Sequence, residues 1–561
     1  MSDRFATHAV TNQPPPLTDV NLFASDVALA DAIAREGAAS AARTLNGFGL
    51  TAGSEEAQEL AYLANMHPPK LETHDRFGRR LDVVTYHPAY HDLMRLSCAE
   101  GIANSTWTHL GPAGGSPDKA AHVVRAAHLY LATQMEPGHC CPLTMTNAAV
   151  PVLMKNETLA QDWLPLLLSR TYDPRFEPAA DKSGAMIGMA MTEKQGGSDV
   201  RANTTVAVPA GPGGPGADYL LTGHKWFCSA PMSDAFLVLA QAHGPGGEGL
   251  SCFLVPRVLP DGARNVFRIQ RLKDKLGNRA NASSEIEFDG TVATMVGDPG
   301  RGVRTIIEMV ARTRLDCVLG SAAGMRQAVA EATWHARHRA AFGRVLVDQP
   351  AMANVLADLA LESEAATVTA IRLARAYDVD AGEEERGFRR VATAVAKYWI
   401  CKRGPQHAYE ALECLGGNGY TEEFPLAMRY REQPVMAVWE GSGNVIALDL
   451  LRAMRREPES LTAFGAELEL ARGHHRILDD TLDRLDRQLR ELSAADPESA
   501  ERRARSVVES MALALQATLL ARFSPTSVSE AFIAARLGPD RGHEYGTLPE
   551  GSRLTEIMQR H

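Results

Sequence analysis

The apolar pattern of this chain changes period twice, and no single kind of layer can satisfy both periods. From residue 185 to about 297 it reads with a period of two. Met186, Ile187, Met189 and Met191 are interleaved with Gly188 and Ala190, and Leu237-Val238-Leu239, residues 251–255 and Glu285-Ile286-Glu287-Phe288 continue as strands between glycine-rich turns. Before it the pattern is helical: Leu93 and Leu96 follow a strong start at His87-Pro88, and residues 123–135 are rich in Ala and Leu. After Arg301 helices return over 303–331, 349–377 and 386–414, with the Ala/Leu content of a four-helix bundle core. A separately composed tail begins near Leu451. Leu478, Leu482, Leu485, Leu489 and Leu492 make one seam, and Val508, Met511, Leu515 and Leu519 make a second, as two helices packing together would. The fold class expected is α+β, with a helical domain over 1–184, a β-domain over 185–297, a helical bundle over 298–452 and an extra helical domain over 453–561.

At 561 residues the chain exceeds what one core can organise. Its 45% hydrophobic and 22% charged content fits a globular protein, and the net charge of −10 opposes bulk attraction to nucleic acid or anionic membrane. No window reaches the roughly 20 apolar residues of a membrane span, and the start of the chain lacks a basic-then-apolar signal pattern. The eight cysteines form no C-x-x-C, and Cys140-Cys141 are adjacent, so reduced thiols in a cytoplasmic protein are expected. His335 and His338 lack acidic partners and no H-E-x-x-H occurs, so no metal site is expected. Gly211-Pro212-Gly213-Gly214-Pro215-Gly216 and Gly244-Pro245-Gly246-Gly247 lack the Lys-Ser/Thr of a phosphate loop and read as hairpin linkers. No G-x-G-x-x-G joins a strand to a helix, which argues against a dinucleotide fold of that type.

Three distant segments read as one site. Val438-Trp439-Glu440-Gly441-Ser442-Gly443-Asn444 sets one acid after an aromatic residue and before a small, flexible run. That suits a carboxylate held as a base beside a turn that can approach a phosphate or ring edge, although alone it is equally an acid at a loop-to-helix junction. Met191-Thr192-Glu193-Lys194-Gln195-Gly196-Gly197-Ser198-Asp199 closes a strand with hydroxyls and unhindered amides. His224-Lys225-Trp226-Phe227-Cys228-Ser229 offers a flat ring at Trp226 to cover an isoalloxazine, and a donor at Ser229.

In this order and spacing the segments resemble the acyl-CoA dehydrogenase family, whose T-E-x-x-x-G-S-D, K-x-W-I-T and E-G-T motifs occupy these places. The resemblance implies a central β-barrel and FAD. Its flavin contacts would be Met191, Thr192, Gly197, Ser198, Trp226, Phe227, Cys228, Ser229, Val438, Trp439, Gly441, Ser442, Gly443 and Asn444, with Glu440 as the catalytic base. His335-Ala336-Arg337-His338-Arg339-Ala340-Ala341-Phe342-Gly343 resembles the family's Y-A-x-x-R-x-x-F-G, which implies that Arg339 and Phe342 reach the FAD of a neighbouring subunit. An arginine fork suits a pyrophosphate; a solvated helix charge among Arg337 and Arg344 is the plainer alternative. Gln349 arrives one position earlier than the family's usual Gln and is not counted as a ligand. Glu413-Cys414-Leu415-Gly416-Gly417-Asn418-Gly419-Tyr420 resembles Q-x-x-G-G-x-G-Y, with Gly416 and Gly417 open to a cofactor, though a helix C-cap would also need glycine.

Departures from the common pattern point further. Trp439 stands for Tyr, Ser442 for Thr, and Lys194-Gln195-Gly196-Gly197 for a proline- and alanine-bearing run. With Asn12-Gln13-Pro14-Pro15-Pro16-Leu17, Gly277-Asn278-Arg279-Ala280-Asn281-Ala282-Ser283 and over a hundred residues beyond the base, the chain resembles AidB-type adaptive-response flavoproteins over nearly its full length. That implies a homotetramer, double-stranded DNA bound through the tail, and a role in the response to DNA alkylation, with weak isovaleryl-type activity on an acyl-CoA or related thioester. Glu440 would remove the α-proton while the flavin accepts the β-hydride. The isovaleryl-type base position corresponds to Thr313 before Arg314, which leaves Glu440 as the candidate. Arg452, Arg455 and Arg456, at the head of a tail that contains no Lys, are the DNA-contact candidates. The alternative is a metabolic acyl-CoA dehydrogenase for an unusual thioester whose tail is structural.

Overall fold

The computed structural model describes residues 6–111, 114–244, 246–539 and 541–561. Pro245, in the second glycine-rich linker, and Met1 to Phe5 therefore lie outside the described residues. Sheet order explains the period-two region. Strands β3 (Ile187–Ala190), β4 (Val206–Pro209), β5 (Asp218–Ser229), β6 (Ala235–Ala242), β7 (Gly249–Pro256), β8 (Arg268–Leu272) and β9 (Ser283–Val296) form one sheet. β6 pairs with both β4 and β7, β4 with β5, β5 with β9, and β9 with β7, so the sheet closes on itself as a barrel. Closure removes exposed edges, and β6 is buried along almost its whole length. The linker at 211–216 joins the antiparallel β4 and β5, as expected of a hairpin connection.

The N-terminal region is helical with one exception. β1 (Lys70–His74) and β2 (Arg80–Thr85) form an antiparallel hairpin between the helices of the expected helical domain. Both strands are mostly polar and only half-buried, so they carry little apolar periodicity.

Beyond the barrel, the helices Gly302–His338, Pro350–Arg375, Glu383–Glu413 and Pro425–Val438 form the bundle, two of them opening on proline at the first turn. Gly324 permits a close crossing: a Cβ there would come within 1.8 Å of Gln433 Nε2. The tail helices Arg476–Ala494 and Pro497–Phe523 bury the two leucine-rich stripes, and their core is continuous with that of the bundle. Pro497–Phe523 is the one described helix long and apolar enough to cross a membrane, yet 67% of its apolar window is buried here. Arg536 pairs with Asp358 and Glu362, and Arg560 pairs with Glu364 at 2.8 Å and Asp31 at 3.0 Å. The Val27 amide donates to the Arg560 carbonyl at 3.2 Å, so the last described residues fasten onto the first helix. The tail is compositionally distinct but not a separate packing unit.

Candidate active site

The Pro425–Val438 helix ends at Trp439, and the chain turns sharply before the Gly443–Arg456 helix. Glu440 sits on this turn with φ +59°, followed by Gly441 at +111°. Such a backbone is costly for a residue with a Cβ and persists only where its surroundings fix it. Two cations do so. Arg314 Nε donates to the Glu440 carbonyl at 2.9 Å, and Arg314 is itself held by Asp449 at 3.0 Å. The fully buried Lys397 donates to the Met436 carbonyl at 2.5 Å and the Gly441 carbonyl at 3.5 Å. The turn thus presents a carboxylate whose Oε2 is buried without a partner, next to a Trp439 Nε1 in the same condition. Burial pushes the Glu440 carboxyl above its ordinary value, opposed by the Thr313 hydroxyl and the charges of Arg314 and Lys397. Thr313, the position compared with the isovaleryl-type base, lies beside this carboxyl and cannot serve as a base itself.

The strand segment is built around a buried ion pair. Lys225 Nζ donates to Glu193 Oε1 at 2.7 Å and to the Leu239 carbonyl at 2.7 Å, and Glu193 also accepts from Thr204 and Thr205. Burial draws the Lys225 ammonium down to about 8. The pair fixes the loop carrying Thr192, Gly197 and Ser198. A Cβ on Gly197 would lie 2.5 Å from Thr192 Oγ1, so glycine is required, and Gly197 and Ser198 remain open to solvent. Met191 is half-buried, its carbonyl accepting from Asn203.

The end of β5 carries the aromatic pair. The β5–β9 register slips between Lys225 and Cys228, and Trp226 turns its ring under Lys273, whose Nζ stands 3.2 Å from the ring centre. Phe227 is 48% exposed and Trp226 half-buried, so both rings stand open at the strand end. The Cys228 side chain is fully buried in the barrel core, which leaves its backbone as the part that can face a cofactor. Ser229 stays half-buried, within 3.2 Å of Ser283.

The remaining candidates form a second group. Arg339 Nη1 donates to the Asn12 carbonyl at 2.5 Å, the Asn12 side chain bonds Ala340, and Trp334 Nε1 donates to the Pro15 carbonyl. Asn418 meets Gln13 at 3.4 Å. The N-terminal segment therefore laces the Arg339 hairpin, β10 (Ala340–Ala341) and β11 (Arg344–Val345), to the Gly416–Tyr420 turn. Phe342, at the hairpin tip, is 99% exposed, and Gly416 and Gly417 face open space. Among the described residues no hydrogen bond joins this group to the Glu440 group within the chain. Gln349 turns to the Ala341 carbonyl and plays no part in an open site.

Val438 and Ser442 are exposed on either side of the base, and Gly443 abuts Lys402 so closely that a Cβ would meet its Cε at 2.8 Å. Asn444 Oδ1 accepts from Arg505 of the tail at 3.4 Å, and Arg505 also donates to the Tyr398 hydroxyl at 3.1 Å. Sequence reasoning missed Lys397, Lys402 and Arg505. Each sits inside a helical pattern, where a lone cation looks like any solvated charge.

A barrel between helical layers, with a buried unpartnered carboxylate on a braced turn and an open aromatic ring at a strand end, describes a flavin-dependent dehydrogenase. Three family models match in order: the adaptive response protein AidB N-terminal domain over residues 12–174, the acyl-CoA dehydrogenase middle domain over 188–291 and its C-terminal domain over 300–455. The chain belongs to the acyl-CoA dehydrogenase family, and within it to the AidB type. It is 47% identical to the Escherichia coli (strain K12) protein named "Putative acyl-CoA dehydrogenase AidB" over 485 residues, 86% of this chain and 87% of that one. It is 30% identical to acyl-CoA dehydrogenase family member 11 of Caenorhabditis elegans over 76% of this chain and 69% of that one. The crystal structure of C. elegans ACDH-11 in complex with C11-CoA superimposes with a TM-score of 0.84 at 27% identity, covering 95% of this chain and 93% of that one. The protein is an FAD-dependent oxidoreductase of this family. The orphaned Trp439 and Glu440 atoms, the exposed Phe227 ring and the solvent-open Gly197, where a Cβ would clash with Thr192, fit a flavin.

Proposed function

We propose that this protein removes a proton from the α-carbon of an acyl thioester with Glu440, during a dehydrogenation that leaves a 2-enoyl thioester. The observation that carries this reading is the unpartnered, buried Oε2 of Glu440 on a turn that two cations hold in a left-handed conformation. FAD, when bound, supplies the acceptor for the β-hydride. Thr192, Gly197, Ser198, Phe227 and Ser229 would hold it on the barrel side, and Gly441, Ser442, Gly443 and Asn444 on the bundle side. Trp439 and Thr313 bound the space near the carboxylate and limit what acyl group fits. The ACDH-11 complex with C11-CoA supports an acyl-CoA as the class of substrate, and a short branched acyl group is our specific proposal. In Glu440→Gln the near-isosteric amide should retain fold and flavin, while flavin bleaching by isovaleryl-CoA falls to an undetectable rate. Equal bleaching in both proteins would place the base elsewhere.

Assembly as a cytoplasmic homotetramer belongs to the same proposal. A phenylalanine 99% exposed at a hairpin tip, beside Arg339, fits a group that completes the cofactor site of a neighbouring subunit. Arg339→Ala should lower FAD affinity without unfolding the chain, since it removes a fork for pyrophosphate; unchanged flavin retention would make it a surface charge.

A second reading, DNA binding in an alkylation response, rests on one feature of the tail together with the AidB likeness. Arg472, Arg490, Arg502 and Arg503 all pair with carboxylates, and Arg452 lies 3.6 Å from Asp449. Arg455 and Arg456 are exposed and have no ion-pair partner among the described residues. Duplex DNA affinity should fall steeply with salt, and the double substitution Arg455→Gln, Arg456→Gln should flatten the log–log slope by about 2. Affinity that ignores salt, or a slope unchanged in the variant, would leave the tail structural.

A further inference from the structure

One residue before Thr313, and so about 100° around the same helix, Arg312 leaves the base and enters a different cluster. Its guanidinium carbon stands 5.2 Å from the centre of the Trp107 ring, and that of Arg389 stands 4.9 Å from Tyr377. Between the two rings lies His122, edge-on to Trp107 at 5.7 Å and 6.3 Å from Tyr377. His122 is 3% exposed, and its Nε2 has no hydrogen-bond partner; the buried Nε of Arg312 has none either. Among the described residues neither arginine forms an ion pair. The acids nearby are engaged: Asp378 accepts from the His122 amide at 2.7 Å and Arg375 at 3.2 Å. Asp316 holds Arg125 through two bonds of 2.6 and 2.7 Å, and Glu308 pairs with Lys155 at 3.4 Å.

Two guanidinium groups and a buried imidazole nitrogen thus converge without an ion-pair partner among the described residues; Arg312 Nη1 reaches only the Glu308 carbonyl at 3.4 Å, while the Glu308 carboxylate pairs with Lys155. Burial and the surrounding arginines push the His122 imidazole well below its ordinary value, so it is neutral, and the Nε2–H tautomer supplies a donor. Water could satisfy single donors but not the charge of two arginines. An oxyanion does both, because guanidinium forks pair its oxygens directly. The cluster is separate from the Glu440 pocket. The cations acting on Glu440 are Arg314 and Lys397, whereas the charges around Arg312 are Arg389, Glu308 and Arg125.

We propose that Arg312, His122 and Arg389 form a binding site for a small oxyanion, a phosphate or carboxylate group, distinct from the dehydrogenase site. The test is calorimetric titration of the flavin-loaded protein at constant ionic strength, with inorganic phosphate in one arm and glutarate in the other. The native protein should show saturable binding, and the arm with the higher affinity identifies the group. Arg389→Gln, at a half-exposed position, should retain flavin and acyl-CoA bleaching while weakening that binding by about tenfold or more, the loss expected of a charged hydrogen bond. Arg312→Gln should behave alike; if it fails to fold, the Arg389 variant decides. No saturable binding in either arm, or equal affinity in native protein and Arg389→Gln, would overturn the proposal.

Discussion

Glu440 combines a strained backbone, a buried carboxyl and a pair of bracing cations, and each has a measurable consequence. The base works ionised, so bleaching by acyl-CoA should fall as pH drops through the raised pKa of its carboxyl, above the range of an ordinary glutamate. Lys397→Met removes a charge that favours the carboxylate and should shift this acid limb to higher pH, with Lys397→Arg restoring it in part. A limb that stays in place would confine Lys397 to a structural role. Gly197→Ala is the matching test on the barrel side, since its methyl would crowd Thr192 and lower flavin content. That an acid stands on a loop-to-helix turn, and where the loop motifs lie, was legible from residue type and order alone. The unequal exposure of Trp226 and Phe227 was not, because the register slip in β5 between Lys225 and Cys228 leaves no mark in the periodicity.

Among the elements, the Ala121–Met135 helix shows how much of this fold rests on buried polar groups. Its last carbonyls, on Thr133, Gln134 and Met135, accept from the guanidinium of Arg429, which is 2% exposed on the Pro425–Val438 helix. A helix C-terminus buried without such a partner leaves carbonyls unsatisfied. Arg429→Met should therefore cost roughly 2–4 kcal/mol, read as a lower midpoint in urea; a loss below about 0.5 kcal/mol would show that water replaces the cation. Strongly periodic helices such as Pro350–Arg375 and Glu383–Glu413 were readable to within a few residues, because their apolar faces repeat over many turns. The β1–β2 hairpin was invisible, since its strands are mostly polar and half-buried and dock on the barrel largely through hydrogen bonds, such as those of Arg257 and Ile269 to Asp82.

At the scale of the whole molecule, the tail completes the bundle. Removing residues from 453 onward would strip the Pro497–Phe523 helix from its neighbours and expose their core. Such a truncation should give insoluble protein rather than a soluble flavoprotein without DNA affinity. Flavin-loaded, monodisperse protein after truncation would contradict the shared core. Acid should loosen the same junction. Burial raises the Glu364 carboxyl, but His561, 3.8 Å away, and the hydrogen bonds from Arg560 at 2.8 and 3.0 Å outweigh it and hold it at about 2. A depressed carboxyl contributes stability that is complete above its unfolded pKa and is lost as pH falls towards the folded value. Limited proteolysis near Arg560 should accordingly accelerate between about pH 4.3 and pH 2, and Glu364→Gln should abolish that dependence.

The fastening of Arg560 to Val27 and Asp31 also sets an order of events during synthesis. At about 5–20 residues per second, the helix bearing Val27 leaves the ribosome roughly half a minute to two minutes before its partner is translated. Throughout that interval its Asp31 carboxylate lacks its arginine, and Glu364 waits for the same partner once it has been made. Nascent chains stalled short of residue 560 should therefore be digested near the first helix while the barrel, whose strands all lie between 187 and 296, already resists.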